Sequence, residues 1–329
     1  MIQVCIIGSS GHFGYVLDGL REVPEARLVG VAPGSPGETM DKVLAGASRL
    51  GAAPRLFDDC LDMLDELRPD VAAVACHFGD HARVAAEVLK RGIHAFVEKP
   101  VATTYSDLRM LRDVYAAGDA RLAAMFGSRQ MPHFRTARQA VREGAVGDIR
   151  LIQAQKSYRL GSRDAFYRQR SSYGGTIPWV GSHAIDWVRW IGGETFESVL
   201  AMHSTRDNKD HGELETTALC HFRMTNEVFA SVSLDYLRPP TAPSHGDDRI
   251  RIAGTEGVLE VRDGRVLLMN DREPGIRELP LLPKEDLFPA FIRQLDEEDG
   301  RVSAEDAFAV TEACLKARQS ADEGRQVLF

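Results

Sequence analysis

A chain of 329 residues, 44% of them hydrophobic, is longer than single hydrophobic cores usually grow, which predicts two domains. Its 48 acidic residues outnumber its 40 basic residues and give a formal net charge of −8. Because affinity for nucleic acid or for an anionic membrane comes mainly from basic residues that neutralise phosphates, this charge argues against both as partners.

The cysteines and the amino terminus indicate a compartment. The five cysteines are odd in number, scattered and without CxxC spacing, so they predict neither a disulfide framework nor a metal site. The chain enters an apolar run at once, without the pattern of a secretion signal, and no apolar stretch is long enough to span a bilayer. We therefore expect a soluble, cytoplasmic protein.

The first part of the chain alternates strands and helices. Residues 2–8 (IQVCIIG) form a short apolar run typical of a parallel strand buried on both faces, and a helix and a second strand at 27–32 follow. A strand, a helix and a strand follow again at 70–76, 81–92 and 94–100. This alternation predicts an α/β fold with a doubly wound parallel sheet.

From about residue 150 the pattern changes to strand-like runs in series, which predicts an antiparallel or mixed sheet. The chain then ends in a helix, at whose start Ser303 and Asp306 fit a variant capping box. The strand-like runs are 151–158, 217–224, 228–237, 249–254 and 258–269.

A glycine-rich stretch, GSSGHFG at 8–14, separates the first strand from its helix. Glycine lets backbone N–H groups approach a pyrophosphate at the positive end of a helix. The spacing is GxxGxxG rather than GxGxxG, and a plain glycine turn is the alternative, but the position after strand one favours dinucleotide binding. The predicted cofactor-binding residues of this turn are Gly8, Ser9, Ser10, Gly11, His12, Phe13 and Gly14.

The end of the second strand lacks the acidic residue that usually bonds the ribose hydroxyls of NAD, since Ala32 and Pro33 stand there. No arginine nearby in the chain offers a site for the 2′-phosphate of NADP. We therefore place Ala32 beside the cofactor, leave NAD or NADP open, and expect only modest discrimination against NADP.

The stretch VEKPVATT at 97–104 places Glu98 and Lys99 at the carboxyl end of a parallel strand, where open α/β sheets bind ligands. A lysine at this place is suited to proton transfer to an oxygen. A solvated loop lysine is the alternative.

The stretch GGTIPWVGSHAIDWVRWIGG at 174–193 predicts a helix that Thr176 caps and in which Pro178 is tolerated in the first turn. It carries two stripes at helical spacing. The core stripe is Ile177, Val180, Ala184, Trp187 and Ile191, and the second stripe is Trp179, His183, Asp186 and Trp190. The second stripe is either more core or part of a functional site, with Asp186 placed to accept a hydrogen bond from His183.

Together with the glycine turn, ACHFGDHARVAAEVLKRGIHAFVEKP (75–100), SRQMPHFRTARQAVREGAVGDIR (128–150), GSHAID (181–186) and IAGTEGVLEV (252–261) resemble the Gfo/Idh/MocA oxidoreductases. That family acts mostly on sugars, polyols and related compounds with NAD or NADP. The resemblance implies a Rossmann domain and then an α/β domain with an open-faced, mostly antiparallel sheet, with the active site at their junction. The implied ranges are 1–124 for the cofactor domain and 125–329 for the substrate and oligomerisation domain, whose last helix packs back toward the first.

The resemblance also implies roles for residues outside the glycine turn. Cys76, His77 and His81 would lie along the nicotinamide side, and Glu98 would contact the nicotinamide ribose. Lys99 would stand near the reacting carbon, before a cis peptide bond to Pro100.

Lys99 and His183 are therefore the predicted catalytic residues. His183 matches the histidine of the family's D-x-G-x-H pattern, but Trp179 stands where that pattern has aspartate. The predicted substrate-binding residues are Tyr158, Arg163, Trp179 and Asp186.

Three functions remain open. The leading one is an NAD(P)-dependent dehydrogenase or reductase of a sugar, polyol or related compound. The second is a redox-neutral lyase or glycoside-cleaving enzyme that uses tightly bound NAD transiently, and the third is a non-catalytic, dinucleotide-binding regulator. The resemblance also implies a homodimer or homotetramer, in which subunits cover each other's open sheet face.

Overall fold

The computed structural model describes residues 1–296 and 303–329. These form two compact units. The first comprises Met1–Gly127, Ser171–Gly174 and Glu285–Thr311, and the second Ser128–Arg170, Gly175–Lys284 and Glu312–Phe329. The first change of unit lies close to the boundary predicted after residue 124, and the chain returns to the first unit twice after it. No helix in the described part of the chain is long and apolar enough to cross a membrane.

The strands belong to two separate sheets. In chain order they are β1 (Ile2–Ile7), β2 (Ala26–Ala32), β3 (Arg55–Leu56), β4 (Val71–Val74), β5 (His94–Val97), β6 (Leu122–Ala124), β7 (Ile149–Tyr158), β8 (Phe196–Ser204), β9 (Thr217–Met224), β10 (Phe229–Asp235), β11 (Gly246–Gly254), β12 (Gly257–Arg262), β13 (Arg265–Asn270), β14 (Glu273–Glu278) and β15 (Val327–Leu328).

The helices vary from one turn to more than five. In chain order they are α1 (Gly14–Gly19), α2 (Asp41–Arg49), α3 (Cys60–Leu67), α4 (His81–Lys90), α5 (Tyr105–Ala116), α6 (Pro132–Arg142), α7 (Arg170–Tyr173), α8 (Ser182–Gly192), α9 (Leu287–Asp296) and α10 (Ala304–Glu323).

The first unit holds a six-stranded parallel sheet in the order β3-β2-β1-β4-β5-β6, so the predicted doubly wound sheet is confirmed. The strand order reverses between β1 and β4. Both strands are apolar throughout the paired region, and residues Val4 to Ile7 and Val71 to Val74 are fully buried, as expected of strands covered on both faces. Ligands bind at the carboxyl ends of strands at such a reversal.

Helix α9 completes the core of this unit, although it lies far along the chain. Phe288 and Phe291 pack against Phe96 of β5, with ring centroids 5.7 and 5.1 Å apart. On α1, a Cβ atom added to Gly19 would stand 2.6 Å from Pro289. The two helices therefore pack in close contact.

The second unit holds a nine-stranded sheet in the order β14-β13-β12-β11-β7-β10-β9-β8-β15. Only β7 and β10 pair in parallel among its described strands, so the predicted mostly antiparallel sheet is confirmed. The predicted run at 258–269 is two strands, because Asp263 and Gly264 both take positive φ and turn the chain into a hairpin.

The predicted helix at 174–193 is present but begins differently. Ile177–Gly181 forms a π-helical turn that continues into α8, and Gly193 ends the helix at φ +77°. Thr176 is not a side-chain cap: its hydroxyl donates to the carbonyl of Glu215, and its N–H donates to that residue's carboxylate. The predicted capping bond at the last helix is present, since Ser303 Oγ accepts from the N–H of Asp306 at 3.1 Å.

Candidate functional site

The glycine turn lies across the carboxyl ends of β1 and β4. The N–H groups of Ser10 and Gly11 donate to the carbonyl of Ala75 at 2.8 and 3.1 Å, which fixes the turn against the end of β4. Gly8 has φ +87°, and a Cβ atom there would stand 2.3 Å from Cys76 Cα. Only glycine fits this position without moving backbone.

Gly11 is equally constrained, although by a side chain. A Cβ atom at Gly11 would stand 2.7 Å from Cγ of Glu98. At Gly14 a Cβ atom would meet nothing within 4 Å. The glycines at 8 and 11 are therefore required by close approach, whereas the one at 14 is not.

Glu98, at the end of β5, is a fully buried carboxylate. Its Oε2 accepts from both the backbone N–H and the ring Nδ1 of His12, each at 2.9 Å. The Nζ of buried Lys99 lies 3.6 Å from Oε1. Burial by itself raises the pKa of Glu98, but the charges of His12 and Lys99 and the hydrogen bonds from His12 outweigh it and lower the pKa to about 2.

The second carboxylate oxygen of Glu98 is buried and accepts no hydrogen bond from any described residue. A buried acceptor without a donor is unfavourable unless a ligand supplies the donor. A ribose hydroxyl fits this requirement. The glycine turn and Glu98 Oε1 thus fit a dinucleotide, and the peptide bond from Lys99 to Pro100 is cis, as the resemblance implied.

Cys76, His77 and His81, the three residues predicted along the nicotinamide side, lie between the end of β4 and the start of α4. His81 is buried, with Nδ1 2.8 Å from the carbonyl of Pro100 and Nε2 3.1 Å from that of Cys76. Burial, the largest effect, lowers the pKa of His81, and burial raises that of the Cys76 thiol well above its usual range. The N–H of His77 donates to Ser35 Oγ. His81 therefore connects the end of β4 to the loop that follows Lys99.

In the second unit, His183 and Asp186 lie on α8 and are both buried. His183 Nδ1 stands 3.5 Å from Ser128 Oγ. Both carboxylate oxygens of Asp186 accept from Nε of Arg129, at 3.1 and 3.0 Å, and Oδ1 also accepts from its Nη2 at 2.5 Å. Sequence reasoning missed Arg129, whose guanidinium neutralises Asp186 in a site without solvent.

Three predicted substrate residues meet in an aromatic cluster of the second unit. The guanidinium of Arg163 lies over the rings of Trp179 and Tyr236, 5.2 and 5.3 Å from their centroids. Tyr158 reaches the same cluster, with its ring centroid 6.4 Å from that of Tyr236. Tyr167 packs on Trp179 at 4.3 Å. The sequence analysis missed Tyr167 and Tyr236, since only the fold brings them to Trp179.

Two residues missed in the sequence lie beside the loop that follows Ala32. Arg83 of α4 donates from Nη2 to the carbonyl of Gly34 at 3.2 Å, so the fold brings an arginine from a distant part of the chain to this loop. Glu38 supplies a carboxylate there. Glu38 lies in this loop but beyond the strand end, where the acid was sought, and Arg83 is distant in the chain.

Comparison with known proteins gives the same family for both parts of the chain. Residues 2–126 match the model described as the oxidoreductase family with an NAD-binding Rossmann fold, and residues 134–260 match the GFO/IDH/MocA C-terminal domain. A solved structure from Thermotoga maritima, described as an oxidoreductase without a stated substrate, is 50% identical over all of both chains, with a TM-score of 0.96.

Curated relatives are more distant. An inositol 2-dehydrogenase from Rhizobium meliloti is 29% identical over 73% of this chain and 69% of its own length. A glycosyl hydrolase family 109 protein from Akkermansia muciniphila is 32% identical, but the match covers 33% of this chain and 24% of the relative. The chain therefore spans only about a quarter of that hydrolase.

Replacing Gly11 tests the glycine turn. Gly11→Asp should abolish NAD binding in calorimetry, because the new side chain would collide with Glu98 and bring a second carboxylate to the phosphate site. Gly14→Ala is the matched control and should keep its NAD affinity, since its Cβ atom meets nothing. Circular dichroism establishes that both variants fold. Unchanged affinity in a folded Gly11→Asp variant would place the dinucleotide elsewhere.

The low pKa of Glu98 predicts a pH-dependent contribution to stability. A carboxyl whose pKa falls from 4.5 to about 2 on folding stabilises the native state above pH 4.5, and this contribution is lost as the pH falls toward 2. Urea unfolding should show wild type more stable than Glu98→Gln at pH 7, with the difference shrinking below pH 4.5. If the difference in the free energy of unfolding stays constant with pH, Glu98 is not ionised in the native state as assigned.

Proposed function

The chain belongs to the Gfo/Idh/MocA family of oxidoreductases, and we propose that it transfers hydride between NAD(P) and a sugar, a polyol or a related hydroxy or carbonyl compound. One observation carries this proposal: the glycine turn, the Oε1 of Glu98, which accepts no hydrogen bond from a described residue, and the Nζ of Lys99 converge at the carboxyl ends of β1, β4 and β5. This is where a doubly wound sheet binds its ligand.

Different residues of the first unit would bind different parts of the cofactor. The turn from Gly8 to Gly14 would hold the pyrophosphate, Glu98 Oε1 would accept from a ribose hydroxyl, and Ala32 would lie toward the adenosine end. Cys76, His77 and His81 would border the nicotinamide. When bound, the nicotinamide supplies the hydride donor or acceptor.

Proton transfer must accompany this chemistry, because an alcohol carbon loses hydride only as its hydroxyl proton leaves. We assign that role to Lys99 and His183: in the oxidation a neutral nitrogen of either side chain would take up the hydroxyl proton, and in the reduction it would return the proton. Lys99 Nζ lies 3.6 Å from Glu98 Oε1, and His183 has a ring nitrogen near the hydroxyl of Ser128. The pair Arg129–Asp186 fixes α8 one turn further along and so positions His183.

The substrate would contact the aromatic cluster of Trp179, Tyr158 and Arg163. Flat ring faces suit the apolar C–H faces of a sugar or polyol, and the guanidinium is suited to bonding hydroxyls. The inositol 2-dehydrogenase among the relatives supports a polyol or sugar. The five cysteines, all within the described residues, form no disulfide and are buried, which supports the cytoplasm as the compartment.

The match to a glycosyl hydrolase family 109 protein supports a second candidate, a redox-neutral glycoside-cleaving or lyase reaction. Here tightly held NAD would be reduced and reoxidised in each turnover. Product formation from a glycoside without net NADH, by protein that keeps its cofactor through purification, would favour this candidate over the dehydrogenase.

Replacing His183 tests the proposed base. His183→Ala should lower turnover by about 10²-fold or more, as is typical for loss of a general base, and leave NAD affinity unchanged. NADH absorbance with a panel of sugars and polyols, including inositol, measures turnover. Ser128→Ala is the companion variant and should have a smaller effect, because it removes only a neighbour of the ring. Full activity of folded His183→Ala would make the histidine structural.

Subunit association follows from the exposed sheet face of the second unit. Phe229 and Leu151 are register partners on β10 and β7 and stay 50% and 39% exposed, and Met202 on β8 is 55% exposed. We propose that a second copy covers this face in a homodimer or homotetramer, since exposed apolar patches of this kind mark interfaces.

Light scattering tests the association. Wild type should be a dimer or tetramer at micromolar concentration, and Phe229→Lys should shift it toward the monomer because a charge would be buried at the interface. Leu56→Lys replaces an equally exposed apolar residue in the first unit and should not change the mass. A monomeric wild type would contradict this prediction.

A further inference from the structure

The carboxylate of Glu38, in the loop between β2 and α2, accepts four hydrogen bonds. Glu38 Oε1 accepts from the N–H of Ser9 at 3.2 Å and from the hydroxyl of Ser10 at 2.5 Å. Its Oε2 accepts from the N–H groups of Gly34 and Ser35 at 3.1 and 3.0 Å. Donors from the glycine turn and from the loop after strand two therefore meet on one negative group.

These donors form a site for an anion. A carboxylate has about four acceptor positions, and here each oxygen already accepts two hydrogen bonds. Consecutive backbone N–H groups with a serine hydroxyl are also the donors that proteins use to bind phosphate. Glu38 thus occupies a place that a phosphate group would otherwise suit.

The charges around Glu38 are mostly negative. Arg83 lies at the loop, but its Nη2 also donates to Asp80 Oδ1 at 3.1 Å, and Asp80 accepts from Ser35 Oγ at 2.6 Å. Asp58 and Asp59 line the same pocket as Glu38 and Arg83.

A buried neighbour responds to the same charges. After burial, the negative charges of Glu38 and Asp80 are the next causes that raise the pKa of the Cys76 thiol. The negative charges of Glu38 and Asp80 would therefore repel a phosphate group, which carries up to two negative charges, from this loop.

We infer that Glu38 selects NAD over NADP by filling the site that the 2′-phosphate of NADP would need. This inference rests on the proposed function, namely that a dinucleotide binds at the glycine turn. In a Rossmann domain the loop after strand two reads the 2′ position of the adenosine ribose, with an acid for NAD and an arginine for NADP. The strand end itself carries Ala32 and Pro33, and Glu38 brings a carboxylate to this loop from further along the chain. Because both of its oxygens already accept two hydrogen bonds, Glu38 would exclude the 2′-phosphate rather than bond the ribose.

The inference predicts what removal of the carboxylate does. Without it, the N–H groups of Ser9, Gly34 and Ser35 and the hydroxyl of Ser10 become free, beside the guanidinium of Arg83. Free donors and a nearby cation suit a phosphate. None of the four donors belongs to Gly11, His12, Phe13 or Gly14, so the change leaves that part of the glycine turn as it is.

Calorimetric titration of the folded full chain with NAD and with NADP tests this inference. Wild type should bind NAD at least about 10-fold more tightly than NADP, a difference of one decade in Kd. Glu38→Ala should raise NADP affinity by about 10-fold or more and change NAD affinity by less than about 3-fold. Asp58→Asn is the matched control, because it removes one charge from the same pocket but frees no donor, and the preference should persist.

Glu38→Gln keeps the size of the side chain but removes its charge, and it tests the inference if Glu38→Ala fails to fold. It should also bring the affinities for NAD and NADP closer together. The pair 5′-AMP and 2′,5′-ADP repeats the comparison without the nicotinamide half, and wild type should discriminate against 2′,5′-ADP.

Three results would overturn the inference. Equal affinity of wild type for NAD and NADP would refute it while leaving the proposed function intact. Equally weaker binding of NAD and NADP by the Glu38 variants would also refute it, because Glu38 would then only stabilise the loop. Binding of neither nucleotide by wild type would refute the proposed function, and this inference with it.

Discussion

The first unit depends on keeping one carboxylate ionised without water. Glu98 is fully buried, and a buried charge is tolerated only where partners replace its hydration. His12 provides two donors and Lys99 a positive charge. Gly11 provides the space, because any side chain there would collide with Glu98. The glycine turn, the end of β5 and Lys99 are therefore parts of one electrostatic arrangement.

The second unit solves a similar problem with a different pair. Asp186 and Arg129 are both buried and bonded through several atoms, so removing either would leave an uncompensated charge in the interior. Arg129 follows the first unit closely in the chain, and Asp186 lies in the middle of α8. The pair thus holds α8, and with it His183, by a directional contact rather than by apolar packing alone.

Sequence patterns predicted what depends on neighbours along the chain. The apolar runs of β1 and β4 and the glycine spacing located the parallel sheet and its turn. The cis bond from Lys99 to Pro100, which the family resemblance implied, is confirmed. Strand β8 and helix α9 were not predicted, and Thr176 was assigned a cap that it does not form. Whether each proposed site residue acts as assigned stays a prediction.

The residues that the sequence did not reveal share a physical reason. Arg129 and Tyr236 contact partners far away in the chain, and no local pattern marks them. Glu38 bonds Gly34 and Ser35 nearby, but its bonds to Ser9 and Ser10 of the glycine turn form only in the fold. The acid of the β2 loop was sought at positions 32 and 33, where strand two ends, and the carboxylate that we propose for this role, Glu38, lies in the loop beyond. A search for an acidic residue at one sequence position misses a side chain that reaches the same place in space from a different position.

The late position of α9 constrains how this chain acquires its structure during synthesis. Phe288 and Phe291 of α9 cover Phe96 in the core of the first unit, yet the ribosome makes them only after nearly all of the second sheet. Until then the nascent first unit exposes an apolar surface that its own chain cannot yet cover. A fragment that stops at Gly127 would keep that surface open permanently, so the cofactor unit of this protein is not separable by cutting the chain once.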